Sequence, residues 1–582
     1  MTAAFRLTDW STLDAPLWAG LDPAARRELQ AHLEPVSLPG GEVLFREGDP
    51  ADALYMLVSG SLGISVRDGK GGERRIARSR PPETIGEMAL ISDAPRSATV
   101  VALRDSALLR LTRAAFEDLV ERWPPAMLYL ARLLADRLRH VTKGEAVAAV
   151  PTTFAVVPVT QGVSAQGFGH ALLGEMRRRF GAGVDILDAC PDGADEGWFH
   201  RFETGRTRIL YVAPDPVGDW TERCVRLADH VLFLAKPGEP LVDMPRSLAG
   251  PGSGWQRRDL VLVQAADAAR PLPAHPSVDA LAVDLRLQSR QGHQADLERI
   301  ARTICGQAMG LVLAGGGARG FAHLGVIKAL REHGVPIDLV GGTSIGSIIA
   351  ASCALDGDFE EMRAAIAESF VMDPPLSDYT LPLVALVRGR KVDRRLEAHF
   401  GDRRIEDLWL PFFCVSSNLT TGSAHVHRRG LLWRALRASI AIPGLLPPAM
   451  EPEGVLVDGA MMNNLPADVM ASFQRGRVLG VDVAQDVAFR SAADGEGRAP
   501  WLRRLFGIAA DAPDIVSILH RAATVSGDAQ TALARAEAHL IIHPPLADVP
   551  LRAWKTFDAV VEIGYRHARA QIEAGALEAF RV

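Results

Sequence analysis

The chain has 582 residues, 48% hydrophobic and 23% charged, with a formal net charge of −6. Single cores stop growing at about 250 to 300 residues, so three units are expected, and this composition excludes a largely disordered chain. The acidic balance lacks the basic excess that favours a nucleic-acid partner, so none is expected.

The N-terminal stretch MTAAFRLTDWSTLD has no basic segment leading into an apolar run, and so does not read as a secretory signal. No apolar run reaches the roughly 20 residues of a membrane helix. Five cysteines, Cys190, Cys224, Cys305, Cys353 and Cys414, are scattered without a C-x-x-C pair. That usage suits free thiols in a reducing compartment, so a cytoplasmic location and no metal site are expected.

From Val36 to Leu111, short apolar stretches such as VLF, ALYMLVSG, LGISV and ALLRL are broken by glycine and charged turns, which predicts an antiparallel β-roll. The run Ala114 to Val141 has helical spacing interrupted at Pro124-Pro125. Between them, IGEMALISDAPRSATV predicts a short helix starting at Gly86-Glu87, whose outward N–H groups favour a phosphate. Arg96 offers that phosphate a cationic fork and Ser97 a hydroxyl, while Glu87 is an acceptor suited to a ribose hydroxyl. The bland alternative is a surface ion pair between Glu87 and Arg96.

This stretch, with GEVLFREGDPADALYMLVSGSLGI before it, resembles the phosphate-binding cassette and roll of cyclic-nucleotide-binding domains. The resemblance implies nucleotide binding by Gly86, Glu87, Met88, Ala89, Arg96 and Ser97, with a cyclic nucleotide as allosteric ligand. Ser97 after Arg96 leans towards cyclic AMP. Bacterial transcription regulators follow such a roll with a DNA-reading helix, but here TKGEAVAAVPTTFAVVPV reads as a small-residue linker and a strand. Residues 1–150 are therefore read as a sensor attached to another activity.

Over residues 151–302, FAVVPV, VDILDA, RILYVAP, HVLFLAK and LVLVQ alternate with helical stretches, which predicts a parallel α/β domain. Its acidic run Asp188, Asp192 and Asp195 reads as a solvated loop. The segment DWTERCVRLADHVLFLAKPGEP resembles the connecting region of the neuropathy target esterase family.

Residues 303–582 open with GLVLAGGGARGFAHLGVIKALREHGVPIDLVGGTSIGSIIAAS. Its G-x-G-x-x-G raises a dinucleotide site, but the acid about 20 residues on, Asp338, opens the second strand instead of closing it. Alternatively Gly342 and Gly346, flanking Thr343, Ser344 and Ile345, form a nucleophile elbow whose following helix points its positive end at the serine. The loop Gly315, Gly316, Gly317, Ala318, Arg319 and Gly320 would then supply N–H donors to an oxyanion, with Arg319 orienting it.

No histidine sits in a triad-completing motif. GVLVDGA reads instead as a strand ending in Asp458, turned by Gly459 and Ala460. Burial could raise the Asp458 carboxyl enough for it to take the serine proton; its alternative is a turn-capping aspartate.

GGGARG, GTSIG and DGA in this order resemble the patatin-like phospholipase family, whose Ser-Asp dyad and oxyanion loop carry over to Ser344, Asp458 and Gly315 to Gly320. More narrowly, IEDLWLPFFCVSSNLTTGSAHVHRRGLLWRALRASIAIPGLLPP and DGAMMNNLPADV resemble the neuropathy target esterase subfamily, which also places cyclic-nucleotide modules upstream. DGA stands where that family often has DGG.

The expected fold is a multidomain α/β chain: a nucleotide-binding β-roll with helices, a middle α/β domain and a patatin-like hydrolase domain. The resemblance implies a calcium-independent lysophospholipase or phospholipase, cleaving fatty acyl esters through an acyl-serine. The rival is a cyclic-nucleotide-responsive signalling adaptor with incidental esterase activity. YTLPLVALVRGRKVDRR, Tyr379 to Arg395, joins apolar to basic residues; it suits either contact with an anionic bilayer or ordinary core packing.

Overall fold

A computed structural model describes residues 23–67, 73–123, 151–194, 196–203, 205–244, 256–372, 378–381, 384–484 and 528–581. Beyond Trp123, the predicted helical run to Val141 and the linker after it lie outside the described residues. The chain divides into two compact units, Met1–Val263 with Ala274–Leu285, and Gln264–Pro273 with Arg286–Val582.

The first unit opens with the roll: β1 (Leu33–Leu38), β2 (Val43–Phe45), β3 (Ala53–Arg67), β4 (Glu73–Ser79), β5 (Thr84–Ile85) and β6 (Thr99–Thr112). They pair in the order β1-β6-β3-β4, with β2 on β6 and β5 on β3, all antiparallel. Strand periodicity explains why β3 is apolar on both faces. Ala53, Tyr55 and Leu57 face Ile85, Val100 and Ala102 inside the roll. Leu54, Met56 and Val58 meet Leu29, Phe116 and Leu119 of the flanking helices.

Still in this unit, β7 (Thr153–Pro158), β8 (Val184–Leu187), β9 (Arg208–Val212), β10 (His230–Ala235) and β11 (Arg257–Gln264) follow. They pair in parallel in the order β8-β9-β7-β10-β11, with helices such as Ala165–Phe180 and Asp219–Leu227 in the connections. The roll's buried Arg104 donates to both oxygens of Glu203 at 2.8 Å, and Tyr211 Oη donates to the same carboxylate at 2.8 Å. Strand β12 (Leu285–Arg290) carries the chain into the second unit.

That unit is built on β13 (Ala308–Leu313), β14 (Leu339–Thr343), β15 (Phe412–Asn418), β16 (Ser423–His427), β17 (Ala449–Glu451), β18 (Gly454–Asp458), β19 (Gly476–Val481) and β20 (Leu540–Ile542). Their order is β17-β18-β15-β14-β13-β19-β20, with β16 on β15. The run from β20 to β15 is parallel, while β16, β17 and β18 are antiparallel additions. Chain direction across the sheet reverses at β13, which has β14 on one side and β19 on the other. Ligands in open α/β sheets bind beyond the carboxyl ends of strands at such a switch point. The glycine-rich loop leaves the carboxyl end of β13 and Ser344 that of β14, so connectivity alone brings both motifs to one edge.

Candidate active site

Strand β14 ends at Thr343, and the helix Ile345–Ala354 begins one residue later. Ser344 sits between them at φ 54° and ψ −128°, a backbone conformation that costs a non-glycine residue on the order of 1–3 kcal/mol. The tight turn forces its neighbours to be small. A Cβ on Gly346 would lie 2.3 Å from the Leu313 carbonyl oxygen, and one on Gly342 2.6 Å from the same atom. The pattern G-x-S-x-G is thus a packing requirement of the crossing with β13. Thr343 Oγ1 donates to the Asn463 carbonyl at 2.8 Å, and Ile345 is buried.

Ser344 Oγ donates to Asp458 Oδ2 at 2.7 Å. Asp458 ends β18 as expected, and its other oxygen, Oδ1, accepts the Ala460 N–H at 2.9 Å. Gly459 is where the turn presses on β15, since a Cβ there would lie 2.3 Å from the Val415 oxygen. Asp458 is only 4% exposed. Burial pushes its carboxyl up to about 6, against the opposing hydrogen bonds from Ala460 and Ser344.

Two histidines of this unit, His323 buried and His427 half-buried, are engaged elsewhere. His323 bonds through Nε2 to the Ala314 carbonyl at 2.8 Å, and burial lowers its pKa to about 4. His427 bonds to Ser416 Oγ at 2.8 Å, and burial lowers it to about 3.

The glycine-rich loop is anchored on two sides. Gly315 N–H donates to the Asn464 carbonyl at 3.3 Å, and Asn464 Nδ2 returns a bond to the Gly315 carbonyl at 3.3 Å. Ala318 N–H donates to the Leu551 carbonyl at 2.8 Å and Arg319 N–H to the Gly316 carbonyl at 3.2 Å, while Arg319 Nε reaches the Val549 carbonyl at 2.6 Å. Gly320 lies within the 3-10 turn Gly317–Phe321. Among the described residues, the N–H groups of Gly316 and Gly317 have no protein acceptor. A Cβ on Gly315 would fall 2.6 Å from Asn464 Oδ1 and 3.0 Å from Ser344 Cβ, so the loop abuts the serine.

Asp338 is not placed to hold a ribose. It is buried and takes two donors from Arg302, at 2.7 to 3.1 Å, together with the Met309 N–H. Asn464, Val549 and Leu551 went unnoticed in the sequence. The NNLP that follows DGA was the one signal for Asn464; nothing local marks the two carbonyls.

At the roll, the helix Glu87–Ile91 starts after Gly86 at φ 84°. Glu87 and Ala89 are buried, and Met88 and Ser97 are exposed. Arg96, 3% exposed, donates to the Gly86 and Ala53 carbonyls at 3.2 and 2.7 Å and to Asp52 Oδ1 at 3.2 Å. Its guanidinium lies 4.2 Å from the Phe45 ring centre. The fork expected to meet a phosphate is thus turned onto two main-chain carbonyls and Asp52, and its buried Nε has no hydrogen-bond partner among the described residues. Asp52, which shares its carboxylate between Arg96 and Arg110, was not anticipated.

Among the described residues, no group of three His, Cys, Asp or Glu side chains could hold a metal ion, and no helix is long and apolar enough to cross a membrane.

The geometry defines a chain that joins a cyclic-nucleotide-binding roll to a patatin-type α/β domain. Residues 35–122 match the cyclic nucleotide-binding domain family model and residues 311–471 that of patatin-like phospholipase. An uncharacterised NTE family protein of Mycobacterium bovis is 32% identical over 96% of both chains. The chain belongs to the NTE family. It is also 29% identical to patatin-like phospholipase domain-containing protein 6 of Pongo abelii, over 94% of this chain and 45% of that one. Lysophospholipase nte1 of Emericella nidulans is 28% identical over 95% of this chain and 42% of its own. The chain thus spans about half the length of these last two relatives.

Proposed function

We propose that the protein is a serine esterase of the lysophospholipase type. Ser344 Oγ attacks the acyl carbonyl of a lipid ester while Asp458 takes its proton; the proton then passes to the departing alcohol oxygen, leaving an acyl-serine. Water, deprotonated by Asp458, attacks that ester, and the proton returns to Ser344 as the fatty acid leaves. The free N–H groups of Gly316 and Gly317 hold the oxyanion in both halves. No step calls for calcium. The observation that carries this reading is the 2.7 Å bond between a serine in an elbow conformation and a buried carboxyl raised to about 6, since a base works best with a pKa near working pH.

The substrate class, a phospholipid or lysophospholipid, rests on the patatin-like phospholipase match and on the names of the relatives. Tyr379, Leu381 and Val384 are 65%, 79% and 69% exposed, and Arg388 and Arg390 beside them are exposed as well. Such a lip suits peripheral contact with an anionic bilayer at the inner face of a membrane. Residues 1–150, 151–302 and 303–582 serve in this reading as sensor, connector and catalyst, with cyclic AMP as the allosteric ligand.

The test is fatty acid release from lysophosphatidylcholine by wild type and Ser344→Ala, with and without cyclic AMP. Retained release in Ser344→Ala would overturn the mechanism, and nucleotide-independent release would remove the regulation alone.

A further inference from the structure

The backbone N–H of Ser344 lies one residue beyond the last β14–β15 pair, Thr343 with Val415, and the turn at φ 54° takes it off that ladder. Its acceptor is a side chain: Ser439 Oγ, at 3.0 Å. The Ser439 hydroxyl donates in turn to the Val415 carbonyl at 2.7 Å, so its single proton is committed and its lone pair is aimed at the elbow. Ser439 is fully buried and ends the helix Leu432–Ser439. Two residues on, the Ala441 carbonyl accepts the Asp458 N–H at 2.9 Å. One three-residue segment therefore grips the main chain of both members of the Ser344–Asp458 pair.

We propose that Ser439 is a positioning residue for acyl transfer, and that the segment Ser439–Ala441 is a bracket setting the distance between the serine oxygen and its base. The proposal rests on the reading of Ser344 and Asp458 as the reacting pair. Ser344 occupies a backbone conformation that a serine adopts only when its surroundings impose it. With the hydroxyl of residue 439 gone, a half-buried N–H is left without its acceptor where the strained turn begins, so the elbow relaxes towards conformations that move Oγ off Asp458. A serine that merely fills core volume would act on stability and leave the nucleophile alone.

The experiment compares full-length wild type, Ser439→Ala, Ser439→Thr and Ser344→Ala. It measures kcat and KM for lysophosphatidylcholine, the rate of covalent labelling by a fluorophosphonate probe per folded molecule, and the thermal midpoint. Ser439→Ala is expected to lower kcat and the labelling rate together by roughly 10- to 100-fold, with KM within about threefold of wild type. Ser439→Thr, which keeps the hydroxyl, is expected to recover most of both; if its extra methyl prevents folding, Ser439→Ala alone decides. Wild-type labelling and kcat in Ser439→Ala, whatever its thermal midpoint, would overturn the bracket. Should Ser344→Ala still release fatty acid, the reading of the pair fails first; an inactive Ser344→Ala beside an unaffected Ser439→Ala removes the bracket alone.

Discussion

Ser344 Oγ and Asp458 Oδ2 are 2.7 Å apart although 114 residues separate them in the chain. The contact forms because β15 stands between β14 and β18 in the sheet, and the turn after Asp458 folds over β15 towards the elbow. The Ala460 N–H orients the Asp458 carboxyl and the Ala441 carbonyl fixes its main chain.

With Asp458 as the proposed base, activity is expected to follow the ionisation of that carboxyl. The base must be deprotonated to accept the Ser344 proton, and burial places its pKa at about 6. kcat/KM should therefore rise about tenfold per pH unit below 6 and level off above 7. A profile flat between pH 5 and 8 would speak against Asp458 as the base.

Asp458→Asn should trade function for stability. The folded-state pKa of about 6 lies above the ordinary carboxylate value of 3.8, so the folded chain holds the proton more tightly than the unfolded one. The group's contribution is fully present below pH 4 and is lost as pH rises through 6. At pH 8 the buried charge costs up to about 3 kcal/mol, and asparagine removes that cost. Urea unfolding at pH 8 should show Asp458→Asn at least as stable as wild type, while its fatty acid release falls on the order of 10²- to 10⁴-fold.

Gly346→Ala tests the elbow itself. Its Cβ would lie 2.3 Å from the Leu313 oxygen and 2.6 Å from the Ala314 oxygen, both backbone atoms of the crossing strand and its loop. The variant is expected to lose about 3 kcal/mol and its fluorophosphonate labelling. Denaturant midpoint and labelling stoichiometry read the two effects, and a wild-type result in both would contradict the close crossing.

Arg96→Lys probes the roll. Lysine keeps the charge but not the fork that spans the Gly86 and Ala53 carbonyls and Asp52. Calorimetric titration should show cyclic AMP affinity reduced roughly 10- to 100-fold. The fold should persist, because Asp52 keeps Arg110 as a partner at 2.9 Å. Coupling is then tested by reciprocity: an active-site phosphonate that leaves nucleotide affinity unchanged argues that the two sites are independent.

Much of the site is written into local patterns. The spacing of glycines around Ser344, the strand ending at Asp458 and the short helix after Gly86 are legible in a few residues, and β14, β18 and the helix Glu87–Ile91 stand where that reading predicts, although what forbids a side chain at Gly342 and Gly346 is the Leu313 oxygen of the distant strand β13. Other features depend on which distant segment arrives beside each polar group. The six-residue glycine loop offers several N–H donors on paper, but Asn464 and Leu551 occupy two of them and Gly316 a third, and Gly320 lies inside the 3-10 turn, leaving Gly316 and Gly317. Asp338 looked like a misplaced ribose ligand because its partner, Arg302, lies 36 residues away. Ser439 carries no local signature and Asn464 only the NNLP stretch, since each acts on a loop far from it in sequence.

From the sequence alone came the order of the motifs, the expectation of a sharp turn at Ser344 and the chemistry available to each side chain, all read from residue type and spacing. Tertiary structure alone decided that Asp458 accepts a hydrogen bond from the Ser344 hydroxyl, that its carboxyl rises to about 6, and that the Ser344 N–H meets the Ser439 hydroxyl. Burial and cross-sheet hydrogen bonds are set by chain segments that meet only when the sheet assembles.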